Sequence, residues 1–152
     1  MRRKDKQIND LSTIEEIIST AAVCRLGLCQ NSQPYIVPLC FGYKDGALYF
    51  HSARKGKKLD MLRKNNNVCF EIDVEHELVK AEEACDYGMK YRSVIGFGKA
   101  VIIDKTELKR EALDTIMTNY STGPFEYSEQ VIERTLIIKV EIEAMTAKKS
   151  GY

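Results

Sequence analysis

The chain has almost no net charge: 23 Lys plus Arg stand against 22 Asp plus Glu in 152 residues. That balance gives no general pull toward nucleic acid or a membrane surface, where a basic excess is expected. No apolar run approaches the roughly 20 residues of a membrane span. The opening stretch MRRKDKQIND lacks the apolar core of a signal peptide. Cysteine is present five times, as Cys24, Cys29, Cys40, Cys69 and Cys85, with no C-x-x-C pair. An odd, unpaired set argues against a disulfide framework or structural zinc. The cysteines read as small core residues of a protein in a reducing cytoplasm. Cys24 and Cys29, five apart in a strand-like segment, are expected on opposite faces. Histidine is scarce, with only His51 and His76, and a metal site is not supported. The G-x-x-x-x-G-K, G-x-G-x-x-G and G-x-S-x-G patterns are all missing. Repeats, low-complexity tracts and Pro-rich linkers are missing too, and the length suits one domain over residues 1–152.

What is present alternates mostly with period two. A first helix is signalled at STIEEIISTAA, with Ser12 and Glu15 as a capping box and Leu11, Ile14, Ile17, Ile18 and Ala21 on one face. Strand patterns follow at AVCRLGLC, PYIVPLCFGY, ALYFHSA, VCFEIDV, YRSVIGFGKAVIID and TLIIKVEIEAM. Lys44-Asp45-Gly46 is a hairpin signal. Pro38, inside a strand pattern, predicts an edge or a bulge. The stretch EHELVKAEEACDYGM reads as an irregular connection. Asp104 and Glu107 are expected to cap a helix with Leu108, Ala112, Ile116, Met117 and Tyr120 inward. About six hairpin-connected strands with two or three helices predict a mainly β fold, an antiparallel barrel with peripheral helices, and argue against a doubly wound sheet.

Three stretches could carry chemistry. In LYFHSARKGKKLDML, three lysines and an arginine surround Gly56 where a helix should begin. A helix start offers free N–H groups and the positive end of its dipole. Lys57 and Lys58 add charge and Ser52 a hydroxyl, which together make a phosphate cradle; the alternative is a solvated basic helix start. In RSVIGFGKA, Arg92, Val94, Gly96, Gly98 and Ala100 share one face. The small residues leave room either for something flat or for barrel curvature. In PYIVPLCFGY, Pro38 removes a ladder donor, which either frees neighbouring backbone for a ligand or protects an edge.

These stretches, in this order and spacing, resemble the FMN-binding split-barrel superfamily of pyridoxamine 5′-phosphate oxidase. The closer resemblance is to its Nim-type branch of 5-nitroimidazole resistance proteins. CRLGL, PYIVPLCFGY, LYFHSARKGKKLDML, VCFEID, YRSVIGFGKAVIIDKTE and IEAMTAKK carry it, from about Leu11 to Lys148. The resemblance implies a six-stranded antiparallel split barrel and a homodimer with FMN at the subunit interface. Val37, Pro38, Leu39, Cys40 and Phe41 would line the isoalloxazine ring. His51 and Ser52 would lie beside the flavin, and Lys57 and Lys58 would hold the phosphate. Arg92 joins this cofactor-binding set. His51 is the catalytic candidate, beside the reactive region of the ring, and its other reading is a structural role in the loop. The expected activity is FMN-dependent reduction of a small organic molecule, such as a nitroaromatic, with NADH or NADPH as donor. The alternatives are a non-catalytic FMN-binding protein, or the same barrel holding haem or a deazaflavin.

Overall fold

Residues 3–152 are described by the computed structural model. Met1 and Arg2, which begin the charged opening stretch, lie outside the described residues. Along the chain, the short strand β1 (Gln7–Ile8) precedes α1 (Leu11–Thr20), β2 (Cys24–Gln30) and β3 (Gln33–Leu39). β4 (Gly42–Lys44), β5 (Ala47–Ala53), α2 (Lys57–Lys64) and β6 (Asn67–Val79) follow. Then come β7 (Gly88–Ile103), α3 (Thr106–Thr118), α4 (Glu129–Arg134) and β8 (Thr135–Ser150).

Two tight turns fix the register at either end of the sheet. Asn31 and Ser32 have φ of 50° and 62°, and Asp45 and Gly46 have φ of 50° and 72°. Paired positive φ values let a two-residue hairpin match the strand twist. The turns close on Gln30–Gln33 and Lys44–Ala47. All strand pairs are antiparallel, in the order β3-β2-β6-β7-β8-β5-β4, with β1 added beside β8. The two ends of that order do not pair, so the curled sheet is an open, split barrel.

Eight strands form among the described residues where the sequence pattern suggests about six. The predicted single strand PYIVPLCFGY breaks at Cys40–Phe41 into β3 and β4, and β1 is too short to leave a periodic signal. The stretch expected as an irregular connection is one only in part: residues 80–87 join the strands, while β6 and β7 pair as far as Val79–Gly88, past an irregularity between Val74 and Glu77. α4 has no counterpart in the expected elements.

The core fills from both ends of the sheet. Ile14, Ile17, Ile18 and Ala21 of the α1 segment bury against Leu26, Phe70, Ile72 and Val94. Leu11, expected on that face, is 56% exposed. The cap of α1 is Asp10, not Ser12: its carboxylate accepts from the Thr13 N–H at 2.8 Å and the Ser12 hydroxyl at 2.6 Å. Leu136, Ile138 and Val140 point inward as their alternation predicts, while Ile137 on the opposite face is buried with Ala112, Leu113, Ile116 and Ile132 of α3 and α4. Leu108 and Tyr120 are exposed. Only Cys24 of the five cysteines is buried. The expectation of core cysteines fails for the others because Cys29 and Cys69 lie on the outer face of their strands, while Cys40 and Cys85 lie outside regular strands.

The stripe of small residues on β7 resolves in favour of packing. A Cβ on Gly96 would stand 2.3 Å from the Phe70 ring, and one on Gly98 2.2 Å from the Glu141 carbonyl oxygen. The room left by these glycines is filled by the barrel's own core.

Candidate functional site

The basic loop between β5 and α2 is where the structure sorts four cations by role. Arg54 is committed to the scaffold. Its guanidinium donates to Asp104 Oδ1 at 2.8 Å and to the Glu133 carbonyl at 2.8 Å, and its other nitrogen pairs with Asp104 as well. Lys109, buried from below, donates to the same carboxylate at 3.0 Å and to the carbonyls of Ile132 and Thr135 at 2.7 and 3.1 Å. Hydrogen bonds from Arg54, then Lys109, hold the Asp104 carboxyl down to about 2. Asp104 is therefore a tie between loop and helix layer, not the expected cap: the residue at the α3 cap position is Lys105, without a side-chain bond.

The remaining cations are free of carboxylates. Lys57 Nζ lies 4.3 Å over the centre of the Tyr35 ring. Lys58 is half-buried, and burial alone lowers its pKa. Among the described residues neither forms a salt bridge, and Lys55 is exposed. Gly56 enters the helix with φ 139° and ψ 161°, a backbone suited to glycine, and no side chain caps α2. The first N–H groups of α2 thus face outward beside a desolvated ammonium with no counterion, a combination that favours a bound anion. A hollow of about 400 Å³ lies between the β2–β3 turn and α2, lined by Gln30, Asn31, Gln33, Lys57, Asp60 and Met61, and Lys58 is not part of its wall.

The seam of the barrel adjoins this loop. β3 pairs only with β2, and beyond Tyr49 β5 pairs only with β8. Each strand therefore leaves one backbone edge unpaired. Continuing the β4–β5 register past Gly42–Tyr49 would set Cys40 opposite His51 and Leu39 opposite Ser52. Because Lys44–Ala47 closes a two-residue hairpin, hydrogen-bonded pairs fall on alternate residues. On that alternation His51 and Ala53 turn their backbone N–H and C=O toward the seam. From Tyr35, under Lys57, to Pro38 is roughly 10 Å of strand.

The predicted site residues divide around this seam. Val37 and Leu39 pack inward against the core, while Pro38 and Cys40 are exposed. The Phe41 side chain is fully buried, 6.4 Å from Phe50, so only its backbone is near the seam. His51 is exposed on the outer face of β5. Ser52 faces the other side, buried, and donates to the Ala53 carbonyl at 3.1 Å. Arg92 is not brought to the loop. It pairs by register with Val74 and Lys149, and its guanidinium lies 3.2 Å from Glu75 and 5.3 Å from the Tyr152 ring. The run from Gly98, level with Val68, back to Arg92 is roughly 20 Å of strand. A separate hollow of about 290 Å³ between α3 and β5, reaching Lys44, Tyr49 and Lys139, holds none of the predicted site residues.

Two contributors carry no local sequence signal. Arg54 is indistinguishable in sequence from its basic neighbours. Tyr120 lies 79 residues from the Phe41 N–H that donates to its hydroxyl at 2.7 Å.

The fold is thus an open antiparallel barrel with an uncapped basic helix start beside its seam. Comparison with known proteins agrees in class. The model of the pyridoxamine 5′-phosphate oxidase family matches residues 10–149, and the chain belongs to that family. A solved structure of a candidate 5-nitroimidazole antibiotic resistance protein from Bacteroides thetaiotaomicron VPI-5482 is 39% identical. It superposes with a TM-score of 0.84, covering 94% of this chain and 86% of that one. The flavocytochrome Anf3 from Azotobacter vinelandii shares the fold at 21% identity and TM-score 0.86, over 100% of this chain and 72% of that one. An uncharacterized protein of Rhizobium meliloti (strain 1021) is 34% identical over 56 residues, which is 37% of this chain and only 36% of that protein's length. No helix among the described residues is long and apolar enough to cross a membrane.

Proposed function

We propose that this protein is a cytoplasmic, homodimeric flavoprotein that binds FMN along the seam and reduces a small organic molecule. A nitroaromatic such as a 5-nitroimidazole is the sharpest substrate, with NADH or NADPH as donor. The observation that carries the reading is the half-buried, uncompensated Lys58 at the uncapped start of α2, one short spacer from an open strand edge. Family membership supports a flavin, and the 39% identical relative supports the substrate class.

The flavin would supply the electron transfer. The chain's own residues bind and orient. Lys57, Lys58 and the first N–H groups of α2 would hold the phosphate; the backbone of Val37 to Phe41 and of His51 would flank the ring. The exposed His51 imidazole would deliver a proton from a ring nitrogen to the molecule being reduced.

The dimer reading rests on one row across the outer face of the sheet. Ile36, Gly27, Cys69, Phe97 and Ala144 follow one another in register on β3, β2, β6, β7 and β8. Ile36 is 66% and Phe97 58% exposed. Of the neighbouring charges, Arg25 pairs with both Glu71 and Asp73, so the border of this apolar row carries little net charge. A second copy is the fitting occupant, because the row runs out to β3 at the seam, where a partner would complete the ligand's enclosure.

The test is anaerobic. FMN-loaded protein is mixed with NADH or NADPH and the loss of flavin absorbance followed, then a nitroaromatic is added. Reduction followed by reoxidation is expected; bound FMN that neither nucleotide reduces would make the protein a flavin carrier instead. In His51→Ala, retained FMN with slowed reoxidation assigns proton delivery. Lost FMN with an unchanged rate for whatever stays bound assigns His51 to the loop's structure.

A further inference from the structure

The hydroxyl of Tyr120 stands where a rung of the sheet should be. In a hairpin closed on Gln30–Gln33, the hydrogen-bonded pairs of β2 and β3 alternate: Leu28–Tyr35, Leu26–Val37, Cys24–Leu39. The next such pair outward would be Ala22–Phe41. There the ladder is not closed directly. The Phe41 N–H donates to Tyr120 Oη at 2.7 Å, and that hydroxyl donates to the Ala22 carbonyl at 3.0 Å. One phenol is inserted into the rung, bonded on both sides. The same end of α3 is anchored twice more. Asn119 donates to the Ala21 carbonyl at 3.0 Å. The Thr115 carbonyl oxygen lies 2.3 Å from where a Cβ on Gly42 would stand, so helix backbone presses directly on the start of β4.

We propose that Tyr120 is the positioning residue of the seam: a wedge that ends the β2–β3 ladder at Cys24–Leu39, parts Phe41 from Ala22 and sends the chain over to β5. This rests on the reading of the seam as the FMN site, and it names what sets the width of that site. Without the hydroxyl the rung is unmade: the Phe41 N–H and the Ala22 carbonyl lose the partner they share, and the edge from Val37 to Cys40 is no longer fixed relative to His51. The hydroxyl also takes up two backbone groups that would otherwise compete for partners along the seam.

Tyr120→Phe keeps the ring and removes only the two hydrogen bonds. FMN affinity should fall about tenfold or more, and the visible band of the bound flavin should shift as its surroundings change. Asn119→Ala is the control: it removes a bond from the same helix end without touching Phe41, and FMN affinity and spectrum should remain those of the wild type. Wild-type FMN binding in Tyr120→Phe, or an equal loss in Asn119→Ala, overturns the proposal. Amide hydrogen exchange at Phe41 in the FMN-free protein judges the wedge even if the wild type binds no flavin. Protection in the wild type and its collapse in Tyr120→Phe support the inserted rung, and equal exchange in both refutes it. Absence of flavin binding in the wild type would instead count against the proposed function alone.

Discussion

At the scale of single residues, position relative to a helix start divides the cations of the basic loop. Arg54 precedes the turn and reaches down to Asp104. Lys57 and Lys58 follow it and, among the described residues, form no salt bridge. Changing Lys57 and Lys58 together to Ala should weaken FMN binding by two or more orders of magnitude, since each charge-assisted bond contributes about 1.5–3 kcal/mol. Riboflavin, without the phosphate, should be affected far less. Titrating both ligands against the double variant checks this, and equal losses would remove the phosphate from the loop. This part of the site was legible in sequence because everything it needs is local: a strand end, a glycine and two lysines within one turn of helix. Tyr120 was not legible. Its hydroxyl acts on Phe41 and Ala22, and nothing near residue 120 indicates where the end of α3 will land. The cysteines misled for a related reason: period-two alternation separates Cys24 from Cys29 correctly but does not say which face is the core.

At the scale of elements, the tie between the loop and the helix layer sets a pH dependence. The Asp104 carboxyl sits at about 2 in the folded chain, below the ordinary carboxylate value of about 3.9. A depressed carboxylate contributes stability that is fully present above the unfolded pKa and is lost as pH falls through the folded one. Asp104→Asn should therefore lower the thermal midpoint at neutral pH, and the gap from wild type should narrow between about pH 4 and pH 2. Melting curves of both proteins across that range measure it; a gap that does not vary with pH would assign the tie to geometry and not charge. Asp104 was misread as a cap because acidic residues just before a helix usually serve that role. The partners that claim it, Arg54 and Lys109, come from either side in sequence. Strand content was easier to read than strand ends. β8 carries its alternation openly at Leu136, Ile138 and Val140, whereas β6 continues through Glu75–Val79 with charged residues that look like loop.

At the scale of the whole molecule, the proposed dimer rests on the outer row from Ile36 to Ala144. Sedimentation equilibrium should show a dimer across a wide concentration range. Phe97→Glu should move it toward monomer with the barrel intact by circular dichroism, because Phe97 is exposed and contributes nothing to the core. A wild-type monomer that still holds flavin would contradict the interface. The free edge of β3 has a chemistry of its own. Since Gln30–Gln33 is a hydrogen-bonded pair, the odd-numbered residues of β3 spend their backbone groups on β2, and Pro34, Ile36 and Pro38 turn theirs outward. Two of those three have no N–H to give. The edge thus shows three acceptors and a single donor, the Ile36 amide. An approaching β-strand needs donors and acceptors in alternation and would leave its carbonyls mostly unanswered, so this edge resists joining another sheet. A small ring that brings N–H groups meets no such mismatch, and the two prolines therefore make the seam open to a molecule and closed to a strand.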